Sequence, residues 1–182
     1  IKGGIGNDAI TLAGGINDVD LGAGNDTVTT TSNLVAGDRI NGGDGTDTFE
    51  VIQTGLATIP SMANLTSFEN FRLQDTVHQN LDFSSLTSIT GIELESGTTV
   101  DGATIIATLG SSQTLILDSI TDGDSASASL ADGGISIAQP NSASSLDLTI
   151  DDLGPSSAST NENIFIDIAG SNVATANLVS LN

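Results

Sequence analysis

GGIGNDAIT (3–11), LAGGINDVD (12–20) and LGAGNDTVT (21–29) follow one another without a break, and after three further residues (30–32) come NLVAGDRIN (33–41) and GGDGTDTFE (42–50). The eighth position of every block is apolar: Ile10, Val19, Val28, Ile40 and Phe49. The spacing has a mechanical reading. A short strand needs an inward apolar side chain, which position eight supplies, and the six residues that open each block must then reverse the chain tightly. Glycine takes positive φ without steric cost, so a Gly-rich hexapeptide suits that reversal. Two nonapeptides make one coil, so turns about eighteen residues apart stack at the strand spacing of ~4.7–4.9 Å.

The pattern resembles the GGxGxDxUx repeat of the RTX family. The resemblance implies a right-handed parallel β-roll that carries Ca2+ in its turns. The residue chemistry points the same way. Calcium takes six to eight hard oxygens at about 2.3–2.6 Å. Two stacked turns offer that number from the Asp at position six and from glycine carbonyls, which are expected to turn inward toward a shared centre.

Parity sharpens the expectation. The first, third and fifth blocks fall on one side of the coil, with turns GGIGND, LGAGND and GGDGTD. Each keeps Gly at positions two and four and Asp at position six. The carboxylates expected to hold calcium are Asp8, Asp26 and Asp47, with carbonyls from Gly4, Gly6, Gly22, Gly24, Gly43 and Gly45. Three stacked turns enclose two complete sites, with half-sites at the ends. The second and fourth blocks face the other side, where LAGGIN and NLVAGD are degenerate. Asn17 stands there in place of the Asp, and Leu34 and Ala36 in place of glycines. Asn17, Asp18 and Asp38 are candidates for a weaker site. Gly- and Asp-rich turns without metal are the alternative.

Composition bounds the remaining possibilities. The chain has 182 residues, 23 of them acidic and only three basic, with a formal charge of −20. A chain this acidic repels itself unless cations neutralise it, so metal binding and folding are expected to be linked. Lys2, Arg39 and Arg72 are isolated in sequence, which argues against nucleic acid and against an anionic membrane as partners. No run of eighteen apolar residues occurs, so membrane insertion by a helix is not expected. Apolar residues make up 37% of the chain and alternate with polar ones, which separates it from acidic disordered segments. There is no Cys, so repetition or metal must take the place of disulfides. The chain starts and stops in mid-pattern and reads as a piece of a larger protein.

Beyond the nonapeptides, residues 51–67 read as a transition or cap, broken locally by Pro60. Residues 68–182 carry alternating apolar triplets, and those at 71–73, 92–94, 115–117 and 135–137 recur at intervals near twenty residues. A second set lies half a coil later, at 81–83, 103–106 and 126–130. The expected organisation is a β-roll over 1–50, a transition over 51–67, and a wider, less regular β-solenoid of about twenty residues per coil over 68–182. The fold class is therefore all-β. Short strands at ten-residue spacing also allow an antiparallel sandwich for the second part. LTSFENFRLQDT (66–76 and its lead-in Leu65) and LDFSSLTSITGIELESG (81–97) resemble coils of RTX-type surface-layer proteins and of large RTX adhesins. The specific likeness covers 3–50. That over 68–137 is one of style, and 138–182 carries no signature. Asp122, Asp124, Asp132, Asp151 and Asp152 lie in further acidic turns, for which solvated turn residues are the simpler reading.

No catalytic constellation is evident. His78 is the one histidine and sits in a polar stretch. No serine lies in a GxSxG turn, and zinc chemistry would need several His or Cys ligands. Glu93 and Glu95 alternate along a strand, but a sugar cleft usually wants aromatic platforms, and the chain has no Trp or Tyr. The expectation is a non-enzymatic, calcium-dependent structural protein located outside the cell, on a bacterial surface and exported by a type I route. It would self-associate with identical subunits bridged by calcium, with cell-surface polysaccharide as a further partner class. A segment of an RTX adhesin, or the folding module of a type I-secreted enzyme, are the alternatives.

Overall fold

A computed structural model describes residues 1–32, 34–52, 64–74, 76–77, 80–95, 99–100, 104–118, 121–122, 134–138, 146–151, 165–169 and 176–181. The described residues contain nineteen strands and no α-helix. In the nonapeptide region they are β1 (Lys2–Ile5), β2 (Ala9–Leu12), β3 (Asp18–Ala23), β4 (Thr27–Thr30), β5 (Arg39–Asp44) and β6 (Thr48–Ile52). Then follow β7 (Leu65–Thr66), β8 (Asn70–Gln74), β9 (Thr76–Val77), β10 (Leu81–Asp82), β11 (Gly91–Leu94), β12 (Thr99–Val100) and β13 (Thr104–Thr108). The last six are β14 (Thr114–Asp118), β15 (Thr121–Asp122), β16 (Gly134–Ala138), β17 (Leu146–Asp151), β18 (Phe165–Ala169) and β19 (Ala176–Leu181).

Each strand pair among these is parallel. The chain is a β-solenoid, in which each coil rests on its neighbours, and the antiparallel sandwich does not form. One eight-stranded sheet runs β2-β4-β6-β8-β11-β14-β17-β19, from the nonapeptides to the end of the described chain. A second wall, β1-β3-β5-β7, closes the nonapeptide coils, and β10-β13-β16-β18 closes the later ones. A three-stranded sheet, β9-β12-β15, forms a further side of the wider coils.

The period-two alternation decides what is buried. In β4 and β6 the second and fourth residues point inward, and β11 and β14 repeat this. Register stacks Ile10, Val28, Phe49, Phe71, Ile92, Leu115 and Leu148 in one column. Position eight thus supplies the core column that its spacing predicts. A second inward column, absent from the nonapeptide reading, lies two residues further along each strand: Leu12, Thr30, Val51, Leu73, Leu94 and Leu117. All of these side chains are buried. Four of the chain's five phenylalanines gather where the nonapeptide coils give way to the later ones. Phe49 packs edge-on to Phe68 at 5.7 Å and Phe71 edge-on to Phe83 at 5.4 Å, the geometry that aromatic quadrupoles favour.

The wide coils depart from even spacing. Asn70 pairs with Gly91 and Gly91 with Thr114, advances of 21 and 23 residues. Leu115 then pairs with Leu148, and Leu148 with Leu178, advances of 33 and 30. The triplet at 135–137 consequently does not join those at 71, 92 and 115. It belongs to β16, which pairs with β13 and β18 on the opposite wall, and β17 takes the expected place in the long sheet. An apolar triplet fits either wall equally well, so once the coil lengthens its spacing no longer identifies its neighbour. Within the second expected set, 81–83 and 103–106 contribute β10 and β13, which do pair. Residues 126–130 lie outside the described residues.

Candidate metal site

The three turns with intact glycines stack in register, Gly4 on Gly22 and Gly22 on Gly43. Gly4, Gly6, Gly22, Gly24, Gly43 and Gly45 all have φ between 102° and 147°, the region that an L side chain resists. The close approach of the coils reinforces the requirement. A β-carbon on Gly22 would collide with the Gly4 carbonyl oxygen, and one on Gly45 with that of Gly24. These carbonyls face the α-carbon of the glycine in the next coil, so they run along the stack.

The aspartates at position six point into the coil. Asp26 and Asp47 are 1% and 0% exposed. Each carboxylate uses one oxygen to cap the coil before it. The Asp8 amide donates to Asp26 Oδ1 at 2.8 Å, and the Asp26 amide donates to Asp47 Oδ1 at 2.7 Å. The ladder has one further rung, since the Asp47 amide donates to Glu69 Oε2 at 2.8 Å. The other carboxylate oxygens, Asp8 Oδ2, Asp26 Oδ2 and Asp47 Oδ2, are buried and accept no hydrogen bond. Burying an ionised carboxylate oxygen without a partner is costly. The Asp47 carboxyl is accordingly raised above its ordinary value. Burial is the main cause, a backbone hydrogen bond at Asp26 opposes it, and the charges of Asp26, Glu69 and Asp44 add to it.

The opposite turns are built differently. Asp38 is also buried, but both of its oxygens are engaged. Oδ1 accepts from the Asn17 amide at 2.7 Å and from Asn17 Nδ2 at 3.1 Å, and Oδ2 accepts from the Val35 amide at 2.6 Å. Asp18 lies exposed at the start of β3. It lines an open groove with Val19, Asp20, Arg39, Ile40, Asn41, Asn64 and Thr66. The structure therefore brings Asn17 and Asp38 together and leaves Asp18 apart from them.

This donor set fits a hard divalent cation. Orphaned carboxylate oxygens recur once per coil with no donor from the protein, and the Leu21 carbonyl lies near Asp8 Oδ2 above Gly3 as the Ser67 carbonyl lies near Asp47 Oδ2 above Gly42. Among the described residues no three Asp, Glu, His or Cys side chains converge on one point. A ladder with one acid per coil has that property, because its remaining oxygens would come from the main chain. Calcium is the ion such a set suits, being content with carbonyl and carboxylate oxygen in irregular geometry.

Two polar residues were not singled out from the sequence. Glu69 falls outside the nonapeptide phase, and only its place 22 residues after Asp47 marks it as the next rung. Gln113 is buried in the corresponding position of the wider coils. Its Nε2 donates to the carbonyls of Phe83, Leu86 and Ile89 at 2.9–3.1 Å, and its Oε1 accepts from the Gly110 amide at 2.7 Å. A side-chain amide thus occupies the centre of a carbonyl turn. Glu93 and Glu95 share Arg72, with N–O distances of 2.8 and 3.4 Å. His78, Asp124, Asp132 and Asp152 lie outside the described residues. Asp122 and Asp151 sit in β15 and at the end of β17. Comparison with family models, curated proteins and solved structures finds no match.

Proposed function

We propose that this chain is a calcium-stapled structural solenoid that works outside the cell, as part of a self-assembling bacterial surface layer of RTX type. The observation that carries the reading is the column of buried, unpartnered oxygens on Asp8, Asp26 and Asp47. In a chain with formal charge −20, such a column opposes folding until a cation neutralises it. Calcium binding then contributes directly to folding free energy. Affinities of about 10⁻⁴–10⁻³ M are typical of extracellular calcium modules. A protein tuned to that range stays unfolded inside a cell and folds on reaching the outside. Acidic solenoids that fold in calcium are then joined to one another by further calcium between their surfaces.

The test is thermal unfolding and electron microscopy of the protein with millimolar calcium and with chelator. The expected result is a melting temperature that rises with calcium concentration, together with ordered two-dimensional sheets that appear only with calcium. Identical melting in calcium and chelator would overturn the calcium reading. Separate rods in calcium would retain it and replace the surface layer with an adhesin stalk or an enzyme's folding module.

A further inference from the structure

We propose that the cation ladder runs one coil past the last nonapeptide, and that Asp47, Glu69 and the Ser67 carbonyl hold an additional divalent cation where the narrow coils meet the wide ones. This rests on the calcium reading above and extends it to residues outside the repeat.

Three observations converge on the junction. Asp47 is fully buried, and its Oδ2 accepts no hydrogen bond although the next coil lies directly against it. That coil presents two oxygens. Glu69 Oε2 stands on the ladder 2.8 Å from the Asp47 amide. The Ser67 carbonyl oxygen and Asp47 Oδ2 both crowd the space above the Gly42 α-carbon, where a β-carbon would lie 2.6 Å from Oδ2 and collide with the carbonyl. The same pairing occurs at the start of the roll. There the Leu21 carbonyl and Asp8 Oδ2 enclose the space above Gly3, and both neighbouring turns are nonapeptides. The junction therefore reproduces, with Ser67 and Glu69, a cradle that the repeat makes for itself. Ser67 is the one non-glycine with positive φ among the described residues, at 54°.

Charge points the same way. Asp47 and Glu69 together match a divalent ion. Among the described residues the side-chain ion pairs are those of Arg72 with Glu93 and Glu95, so neither Lys2 nor Arg39 neutralises the junction. The donors are all carboxylate or carbonyl oxygen, which selects a hard cation of the calcium type over zinc.

The experiment counts calcium bound to the full chain by equilibrium dialysis, in wild type, Glu69→Gln and Glu69→Asp, with β-structure checked by circular dichroism. Gln keeps an oxygen to accept from the Asp47 amide and removes the charge, so Glu69→Gln is expected to bind one calcium fewer than wild type. Glu69→Asp keeps the charge on a shorter arm, and should bind the wild-type number with the weakest site loosened by about threefold or more. A wild type that binds calcium, with number and affinity unchanged in both variants, overturns this inference alone. A wild type that binds no calcium overturns the calcium reading and this inference with it.

Discussion

Asp26 and Asp38 are both buried carboxylates in stacked turns, and their oxygens make them different. Asp38 spends both oxygens on amides of Asn17 and Val35, so its work is done by hydrogen bonds. Asp26 spends one and leaves the other without a donor. Asp26→Ala should therefore weaken calcium binding by about tenfold or more, the effect of removing a charged ligand. Asp38→Ala should cost about 1–3 kcal/mol whether or not calcium is present, because the Asn17 and Val35 amides lose their carboxylate partner. Calorimetric titration and denaturant unfolding of the two variants separate these outcomes, and equal losses of calcium affinity would overturn the one-sided ladder. Glu95 offers a second residue-level test. Its carboxyl is raised above 4.5, chiefly by burial. Arg72 opposes the shift, and Glu50, Glu93 and Asp118 add to it. The folded state thus holds this proton more tightly than the unfolded chain. The stability it confers is complete below the unfolded value and is lost as pH rises through the folded one. Glu95→Gln should flatten the fall in stability over that window, read by thermal melts at fixed calcium. Parallel pH–stability curves for wild type and variant would contradict the assignment.

At the level of elements, the narrow and wide coils answer one problem with different chemistry. A tight turn between stacked strands gathers backbone carbonyls that need a positive partner. In the nonapeptides the turn is Gly-rich and the aspartates leave oxygen unpaired, which suits a cation. In the coil of β13 and β14 the amide of Gln113 enters the turn at 83–89 and shares its two N–H bonds among three carbonyls, two of which, those of Phe83 and Leu86, also accept from the backbone amides of Leu86 and Ile89. Gln113→Ala should therefore destabilise the wide coils by about 1–3 kcal/mol, because the Ile89 carbonyl and the Gly110 amide lose the partner that Gln113 supplies. The loss should be the same in calcium and in chelator, as measured by urea unfolding. A loss that vanished in calcium would mean that the turn at 83–89 accepts a metal in place of the amide.

Across the whole molecule, the eight-stranded sheet transmits stability from one coil to the next. Solenoid stability is close to a sum of coil and nearest-neighbour terms, so each coil needs a well-matched neighbour on both sides. The place where the wall β1-β3-β5-β7 gives way to the later walls is where such matching is hardest, and Phe49, Phe68, Phe71 and Phe83 fill it with bulk. Glu69 and Ser67 stand at the same level of the stack. The junction therefore brings the end of the aspartate ladder beside the aromatic cluster.

The nonapeptides by themselves determined the parallel coil, the apolar column through Ile10, Val28 and Phe49, and six of the seven described glycines that take positive φ, Gly15 being the other. These features are local: a hexapeptide that must reverse within a strand spacing has few residues that can do it, and alternation assigns the inward face. Tertiary structure alone decided that the ladder continues to Glu69, that Gln113 fills the turn at 83–89, and that 134–138 lies on the opposite wall from 115–117. Each of these depends on which residues lie one coil apart. That separation grows from 18 to 33 along the chain, and once it varies, the stacking partner follows from how the intervening turns pack rather than from any period in the sequence.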